Sequence, residues 1–367
     1  MAGRGPAKLA DMTNRREFLT AAGAMSLASV ASVSALQSKP GAGPAQAAAP
    51  LVIKPPRLKA GDTLGLIHPA SATFQKMDLE IAIDNLAALG FKVKAGTHAL
   101  DRYGYLAGKD VDRAADINAL FADREVQGIC AVRGGWGAAR TLPYLDFATI
   151  AKNPKVLFGF SDITALHMAI PAKTGLVTFH APTGFSAWNE LSASWFRRVT
   201  MDGEPVEYVN EPDFKGRIAP VGNRTQMIRP GKAQGPIMGG NLTVLSHLVG
   251  TPYLPDFAGK ILFLEDVHEG IYRIDRMLTQ LKLAGLLAKI KGFIWGQCSE
   301  CEPDSSGYGS LTIEEVLDDH IKPLGVPTYR GAMIGHIEKQ FTVPEGIPAE
   351  MDADAGTFRL LESAVQL

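Results

Sequence analysis

The sequence predicts an α/β protein whose N-terminal part is built on a mostly parallel sheet flanked by helices. From residue 64 onward, short apolar runs typical of buried strands alternate with segments of helical spacing. This alternation stops between residues 195 and 234, where Pro, Gly, Asn and charged residues dominate. It starts again at Gly239. The pattern favours two α/β domains, the second one smaller, joined by a connector.

The first domain, residues 51–195, contains four predicted strands and four predicted helical segments. The strands span 64–67, 91–93, 128–132 and 156–159, and the helical segments span 79–89, 111–121, 141–145 and 162–170. Gly90 directly after the first helix is typical of a helix C-cap.

The connector spans residues 196–234, and the second domain spans residues 235–367. Its predicted helices are 242–248, 271–283 and 313–321, and its predicted strands are 261–264 and 293–295. No internal repeat interrupts either domain.

Residues 1–47 have the pattern of an export signal. Arg15 and Arg16 precede an apolar run, residues 20–36, rich in Ala, Ser and Val, and Ala45-Gln46-Ala47 follows as a cleavage pattern. The paired arginines predict the twin-arginine route to a bacterial periplasm, which carries folded proteins. The alternative is a disordered Ala-rich tail with an accidental arginine pair.

Charge and hydropathy exclude several classes of partner. Without the leader, 320 residues remain, with 32 Lys and Arg against 36 Asp and Glu. This mildly acidic balance, with no basic run, argues against nucleic acid. No later run reaches the roughly eighteen apolar residues of a membrane span, so we expect no stable membrane association after cleavage.

The three cysteines predict no metal site. Cys298 and Cys301 are spaced C-x-x-C, but zinc needs two further ligands and no second such pair follows. A local disulfide stays open, and so does a redox role. Cys130 lies in an apolar run and is expected to be an inert, buried strand residue. We expect neither a metal nor an organic cofactor.

Ser161 is the first candidate for chemistry. The apolar run that starts at Val156 breaks at Gly159 and delivers this serine just before a helical segment. A hydroxyl at such a turn lies at the tip of a sheet, beside the free N–H groups of a helix N-terminus. This placement is typical of a serine nucleophile and favours a serine hydrolase. Alternatively, Ser161 simply caps the helix.

A serine nucleophile needs a base and an acid that orients the base. Glu265 follows an apolar strand and is expected at that strand's carboxyl end, and His336 follows the apolar run 332–334. The chain order Ser161, Glu265, His336 matches one known triad order. Alternatively, Glu265 is a surface carboxylate and His336 a structural histidine.

Four other histidines compete for the role of the base. His167 lies on the helix after Ser161, where helical spacing favours a packed residue. Spacing alone dismisses neither His180 nor His247, and it does not dismiss His268.

A glycine-rich block follows the strand that contains Cys130. In Arg133-Gly134-Gly135-Trp136-Gly137, three glycines let backbone N–H groups approach an anion. The block lacks the G-x-G-x-x-G spacing of a dinucleotide site. We expect one oxyanion N–H from Gly135, acting with that of Asp162. The alternative is an ordinary glycine-rich turn.

Taken together, these blocks resemble the LD-carboxypeptidase family of serine peptidases, family S66, which includes the microcin C self-immunity peptidases. The similar blocks span nearly all of the chain after the leader, in order. They are residues 133–137, Gly159-Phe160-Ser161-Asp162-Ile163-Thr164, residues 239–242, Leu264-Glu265-Asp266, Gly335-His336 and residues 342–346. Trp136 stands where the family more often has Tyr.

The resemblance implies a Ser161–Glu265–His336 triad, with an oxyanion hole at Asp162 and the glycine block. It also implies two domains with the active site between them, and a homodimer. The implied reaction is hydrolysis of an L,D amide, with release of terminal D-alanine from a peptidoglycan tetrapeptide. Arg133 and Trp136 are candidate substrate contacts, and Arg102 and Arg140 are alternative cations for the terminal carboxylate.

Two other functions stay open. A hydrolase of the same fold could cleave aminoacyl-nucleotide or other microcin-type toxins, with Trp188 or Trp195 stacking on a base. A catalytically inert protein could instead bind muropeptides.

Overall fold

Two β-sheets organise the chain, for which a computed structural model describes residues 51–303 and 309–367. The predicted leader, residues 1–47, lies outside the described residues. The strands are β1 (Thr63–Ile67), β2 (Lys92–Ala95), β3 (Gly128–Ala131), β4 (Val156–Gly159), β5 (Phe179–His180), β6 (Glu207–Tyr208), β7 (Gln226–Arg229), β8 (Lys232–Asn241), β9 (Ile261–Val267), β10 (Gly292–Ser299), β11 (Thr328–Arg330), β12 (Val343–Pro344), β13 (Pro348–Asp352) and β14 (Thr357–Leu360). The helices are α1 (Lys76–Ala88), α2 (Asp110–Ala122), α3 (Phe147–Lys152), α4 (Thr164–Thr174), α5 (Glu190–Arg197), α6 (Leu242–His247), α7 (Ile271–Leu283) and α8 (Ile313–His320).

The first sheet has the strand order β12-β5-β4-β3-β1-β2. Its strands β1 to β5 run parallel, and β12 adds an antiparallel edge beside β5. Strand β3 is buried on both faces: Cys130 packs in one cluster with Leu86 of α1, and Ile129 packs in another with Ile117 of α2. Because parallel strands end at one edge, the loops after β1, β3 and β4 lie together.

The second sheet has the strand order β6-β14-β13-β8-β9-β10-β11-β7. Strands β8 to β11 are parallel neighbours at its centre, and antiparallel strands complete both sides. Helix α7 covers this centre with Ile274, Leu278 and Leu281, which recur at helical spacing and are buried. The predicted helix 271–283 has these same bounds.

The predicted fold class, α/β with two sheets and a mostly parallel N-terminal sheet, is confirmed. The domain boundaries at residues 195 and 235 stay a prediction. Residues 196–234, predicted as a connector, supply β6 and β7 to the two edges of the second sheet. In the described part of the chain, we find no helix that is both long and apolar enough to cross a membrane.

Candidate active site

Ser161 stands at a sharp turn between β4 and α4, as the sequence predicts. Gly159 ends the strand, Phe160 is extended, and Ser161 itself has a φ of 65° before one turn of 3₁₀ helix, Ser161–Ile163. Residues other than glycine rarely adopt this left-handed backbone conformation, and such strain concentrates at functional sites. The turn holds the hydroxyl beyond the sheet edge, next to the N–H groups that open the helix.

Ser161, His336 and Glu265 form one chain of hydrogen bonds. Nε2 of His336 lies 2.9 Å from Oγ of Ser161, and Nδ1 lies 2.8 Å from Oε2 of Glu265. An ionised carboxylate only accepts hydrogen bonds, so Nδ1 carries the proton and Nε2 accepts from the serine hydroxyl. The structure therefore brings together all three residues that the sequence singled out.

Glu265 sits differently from the sequence expectation. We expected it at the end of its strand, but β9 continues to Val267, and the Glu265 side chain is completely buried. Strand β10 bulges between Trp295 and Cys298 beside it, and Gly296 leaves room for its Cβ. The carboxylate is thus enclosed by the sheet.

His336 is held from both sides. Its backbone carbonyl accepts a hydrogen bond of 2.7 Å from the Ser299 hydroxyl, and its ring packs 4.8 Å from that of Phe160. Burial alone would lower the pKa of His336, but the hydrogen bond and charge of Glu265, together with the charge of Asp266, raise that pKa above its ordinary value. The imidazolium is therefore stabilised by its carboxylate partner.

The glycine block runs alongside the serine. A Cβ on Gly134 would lie 2.9 Å from Cβ of Ser161 and 3.2 Å from the amide nitrogen of Asp162, so only glycine fits there. Gly135, the predicted oxyanion donor, is the next residue, with a φ of 114°. Its N–H finds no protein acceptor among the described residues. The close approach of Gly134 was missed, although the two adjacent glycines signalled it.

Asp162 contributes more than a backbone N–H. Its side chain is buried, and Oδ2 accepts a hydrogen bond of 2.7 Å from the Ala138 N–H. Burial raises the pKa of Asp162 to about 6, while the Ala138 N–H and the charge of Arg113 lower it in part. This contact could not be predicted from local sequence, because 24 positions separate the two residues.

Of the three arginine candidates for a terminal carboxylate, two are already engaged. Arg140 binds Asp110 through two nitrogens, and Arg102 packs over Phe74 and donates to a backbone carbonyl. Arg133 is half-buried and has no hydrogen bond or ion pair with any residue that the structure describes. Among these three candidates, it is the one whose guanidinium bonds to no described residue.

A cavity of about 430 Å³ opens beside Ser161. One wall contains Gly135 and Trp136, and another contains Asn241 and Glu269. The Trp136 indole is half-exposed and meets the ring of Tyr105 edge-on at 5.5 Å. A larger cavity of about 760 Å³ lies beside Cys298 and Cys301 and lacks Ser161 in its lining, so the smaller one is the candidate substrate site.

None of the four competing histidines bonds to Ser161. His167 is buried and bonded to the Gly159 carbonyl, and its pKa is lowered to about 4 by burial. Burial also lowers the pKa of His180, which packs edge-on against Phe263. His247 is exposed on α6, and His268 pairs with Glu300 at the surface.

The tryptophans proposed to stack on a base pack instead against other side chains. Trp195 stacks on Tyr208 with ring centroids 5.0 Å apart. Trp188 donates to the Thr183 carbonyl and meets Phe158 edge-on. This leaves Trp136 as the tryptophan that faces the cavity.

The cysteine pair is resolved by the structure. Cys298 and Cys301 are joined by a disulfide, and Cys130 is free and buried in the first sheet.

Asp266, next to Glu265, was not singled out from the sequence. It is buried and accepts hydrogen bonds from Asn241 and Thr243, and burial raises its pKa to about 6.

Two family models match the chain. Residues 64–181 match the family model of the LD-carboxypeptidase N-terminal domain, and residues 234–351 match that of the C-terminal domain. The chain is 40% identical over 304 residues to a probable murein peptide carboxypeptidase of Bacillus subtilis, covering 82% of this chain and 91% of the relative.

Two groups of solved structures share the fold. Muramoyltetrapeptide carboxypeptidase from Oxalobacter formigenes superposes with a TM-score of 0.69 at 30% identity, covering 81% of this chain and 97% of that one. The microcin C7 self-immunity protein MccF superposes with a TM-score of 0.77 at 25% identity, covering 86% of this chain and all of that one. The chain therefore belongs to the LD-carboxypeptidase family.

Proposed function

We propose that the protein is a serine carboxypeptidase that hydrolyses an L,D amide bond and releases the terminal D-alanine of peptidoglycan tetrapeptides. The observation that carries the proposal is the hydrogen-bonded chain of Ser161, His336 and Glu265 beside an open cavity. Relatives named as murein peptide and muramoyltetrapeptide carboxypeptidases support the substrate class.

The first step is attack on the scissile carbonyl. His336 takes the proton of Ser161 on Nε2 as Oγ bonds to the carbonyl carbon. The imidazolium that forms is stabilised by Glu265, which also fixes the ring in the tautomer with a proton on Nδ1. This assigns Ser161 as the nucleophile, His336 as the base and Glu265 as the orienting acid.

The negative oxygen of the tetrahedral intermediate needs donors placed before the reaction. The N–H groups of Asp162 and Gly135 are the proposed pair, because Asp162 directly follows Ser161 and Gly135 lines the same cavity. Loss of one such donor typically raises the barrier by about 3–4 kcal/mol.

Collapse of the intermediate breaks the amide bond. His336 gives its proton to the departing amine of the D-amino acid, leaving an acyl-enzyme on Ser161. Water, deprotonated by the same imidazole, then attacks the acyl carbon, and the imidazolium returns the proton to Oγ of Ser161 as the shortened peptide leaves. Every proton in this cycle moves between groups of the triad, the substrate and water.

A carboxypeptidase also has to recognise the terminal carboxylate. We propose Arg133 for this role, since the residue follows β3 at the same sheet edge as the serine and its guanidinium has no hydrogen bond or ion pair with a described residue. A guanidinium can hold a carboxylate through two parallel hydrogen bonds. Trp136, exposed in the cavity, is proposed to contact the peptide.

The competing function is hydrolysis of microcin-type toxins. MccF has been solved in complex with aspartyl sulfamoyl adenosine. In this chain, the packed positions of Trp188 and Trp195 remove the base-stacking role proposed for them. An inert muropeptide-binding protein would have no use for a hydrogen-bonded triad with a strained serine. Both observations favour the peptidase.

We also propose that the protein is exported to the periplasm through a twin-arginine signal in residues 1–47. An exported enzyme would meet cell-wall peptides directly. A homodimer is proposed from the family resemblance alone.

Mass spectrometry of muropeptides, before and after incubation with the protein lacking residues 1–47, tests the proposed function. We expect a D-alanine-terminated tetrapeptide to lose one alanine, and an aminoacyl sulfamoyl-adenylate to be cleaved far more slowly. Faster cleavage of the adenylate would favour the toxin hydrolase. Binding of tetrapeptide without any cleavage would favour the inert binding protein.

A further inference from the structure

The loop that contains the glycine block cannot fix its own shape. We define the glycine loop as residues 133–138, which connect β3 to the 3₁₀ helix Ala138–Tyr144. Gly135 and Gly137 both have left-handed backbones, with φ of 114° and 113°. Glycine loses more conformational freedom on folding than any other residue, so outside contacts must hold the loop in place.

Three outside contacts do so, and each uses a backbone group of the loop. The Trp136 N–H donates to Oγ of Ser71 at 3.0 Å, and the Gly137 carbonyl accepts from the Arg113 guanidinium at 2.9 Å. The Ala138 N–H donates to Oδ2 of Asp162 at 2.7 Å. The last contact is the shortest of the three, and it bonds the loop to the residue that follows Ser161.

Asp162 links the two halves of the proposed oxyanion hole. Its own N–H is one proposed donor, and its carboxylate fixes the loop that carries the other, Gly135. The side chain is only 5% exposed, although a buried carboxylate is costly to desolvate.

Arg113 also holds this loop. Its guanidinium is buried and donates to two backbone carbonyls, Gly137 in the glycine loop and Pro69 after β1. Asp110 pairs with it, and Arg140 binds the same carboxylate. A single guanidinium thus ties together two of the loops at this sheet edge.

We propose that Asp162, through its side chain, and Arg113 are positioning residues that set the separation of the two oxyanion N–H groups. The inference rests on the proposed function and extends it to two side chains outside the triad. Neither side chain touches the substrate; each acts through the backbone of the glycine loop.

The test is steady-state hydrolysis of a D-alanine-terminated tetrapeptide by variants of Asp162. Asp162→Ala removes the acceptor for the Ala138 N–H, and we expect kcat to fall about 100-fold while KM changes less than about threefold, since an oxyanion donor acts in the transition state. Asp162→Asn keeps an oxygen of the same shape, and kcat should return to within about tenfold of wild type.

Asp116 supplies a matched control. It is equally buried, at 6% exposure, and its carboxylate accepts two backbone N–H bonds, from Thr97 and His98, both at 2.9 Å. Asp116→Ala should lower the melting temperature but leave kcat within about threefold of wild type. A merely structural Asp162 would behave like Asp116.

Arg113→Lys keeps the inference testable should Asp162→Ala not fold. This variant retains a cation but loses the fork of donors, so kcat should fall with KM little changed. If the wild type is active and neither Asp162→Ala nor Arg113→Lys differs from it in kcat, the inference is wrong. Wild type that cleaves no tetrapeptide would instead overturn the proposed function.

Discussion

Oε2 of Glu265 lies 2.8 Å from Nδ1 of His336, and the carboxylate that forms this bond is completely buried. The bond joins the centre of the second sheet to the loop between β11 and β12, across 71 positions of sequence. Because a buried carboxylate in this position selects one imidazole tautomer and stabilises the imidazolium, it determines whether Nε2 can act as a base toward Ser161.

Replacement of this carboxylate by an amide tests that role. In Glu265→Gln the side chain keeps its shape but loses its charge and can donate to Nδ1, which favours the wrong tautomer. We expect kcat to fall roughly 10⁴-fold with the fold preserved. Rates of D-alanine release and circular dichroism measure both effects. Glu300→Gln, at an exposed acid, serves as the control, and equal rates in the two variants would contradict the assignment.

The pH dependence follows from the raised pKa of His336. Its imidazole must be neutral to accept the serine proton, so kcat/KM should be full above that pKa and fall about tenfold per pH unit below it. Glu265 and Asp266 raise the pKa against the effect of burial. In Glu265→Gln the acid limb should therefore move to lower pH, in whatever activity remains. An acid limb that stays in place or moves upward would show that another group controls it.

The Glu265 carboxylate leaves no room for a side chain at position 335, so only glycine fits there. Its φ is 123°, and a Cβ there would lie 2.9 Å from Oε2 of Glu265. Gly335→Ala should strain the backbone by about 1–3 kcal/mol and displace the carboxylate, with a loss of up to about 100-fold in kcat. Gly61, with a φ of 88° and open space around it, is the control for strain alone. If Gly61→Ala lowers kcat as much as Gly335→Ala, the contact has no catalytic consequence.

The disulfide between Cys298 and Cys301 closes a short loop at the end of β10. Loop-closure entropy for so few residues gives a stabilisation of about 2 kcal/mol. The double variant Cys298→Ser/Cys301→Ser should lose that amount in the free energy of unfolding, measured with urea. Reduction of the wild type with dithiothreitol should reproduce the loss. An unchanged midpoint in both experiments would show that the bond does not contribute to stability.

Much of the fold could be predicted because it depends on local pattern. The apolar run before Gly159 predicts β4, and the spacing in residues 271–283 predicts α7 with its observed bounds. Eight strands were not predicted, namely β5 to β8 and β11 to β14. Among them, β6 and β7 are short edge strands in a polar segment whose pairing comes from distant residues. Local sequence cannot specify such pairing.

Some features of the active site could likewise be predicted from local sequence, and others depend on how distant segments pack. The turn at Ser161 is local and could be predicted, whereas the meeting of His336 with Ser161 spans 175 positions. Strand ends and chain order made His336 one candidate base among several, and the family resemblance selected it. The buried position of Glu265 and the link from Asp162 to Ala138 depend on how the strands and loops pack together. The spacing of Cys298 and Cys301 allowed a disulfide without requiring one.

The most direct measurement is the rate of D-alanine release from a tetrapeptide by wild type and Ser161→Ala. Removal of the nucleophile should lower kcat by about 10⁴-fold or more, while the cavity and the Glu265–His336 pair stay intact. Ser363→Ala, at a serine outside the cavity, should leave the rate unchanged. Release of D-alanine by Ser161→Ala at the wild-type rate would contradict the serine mechanism.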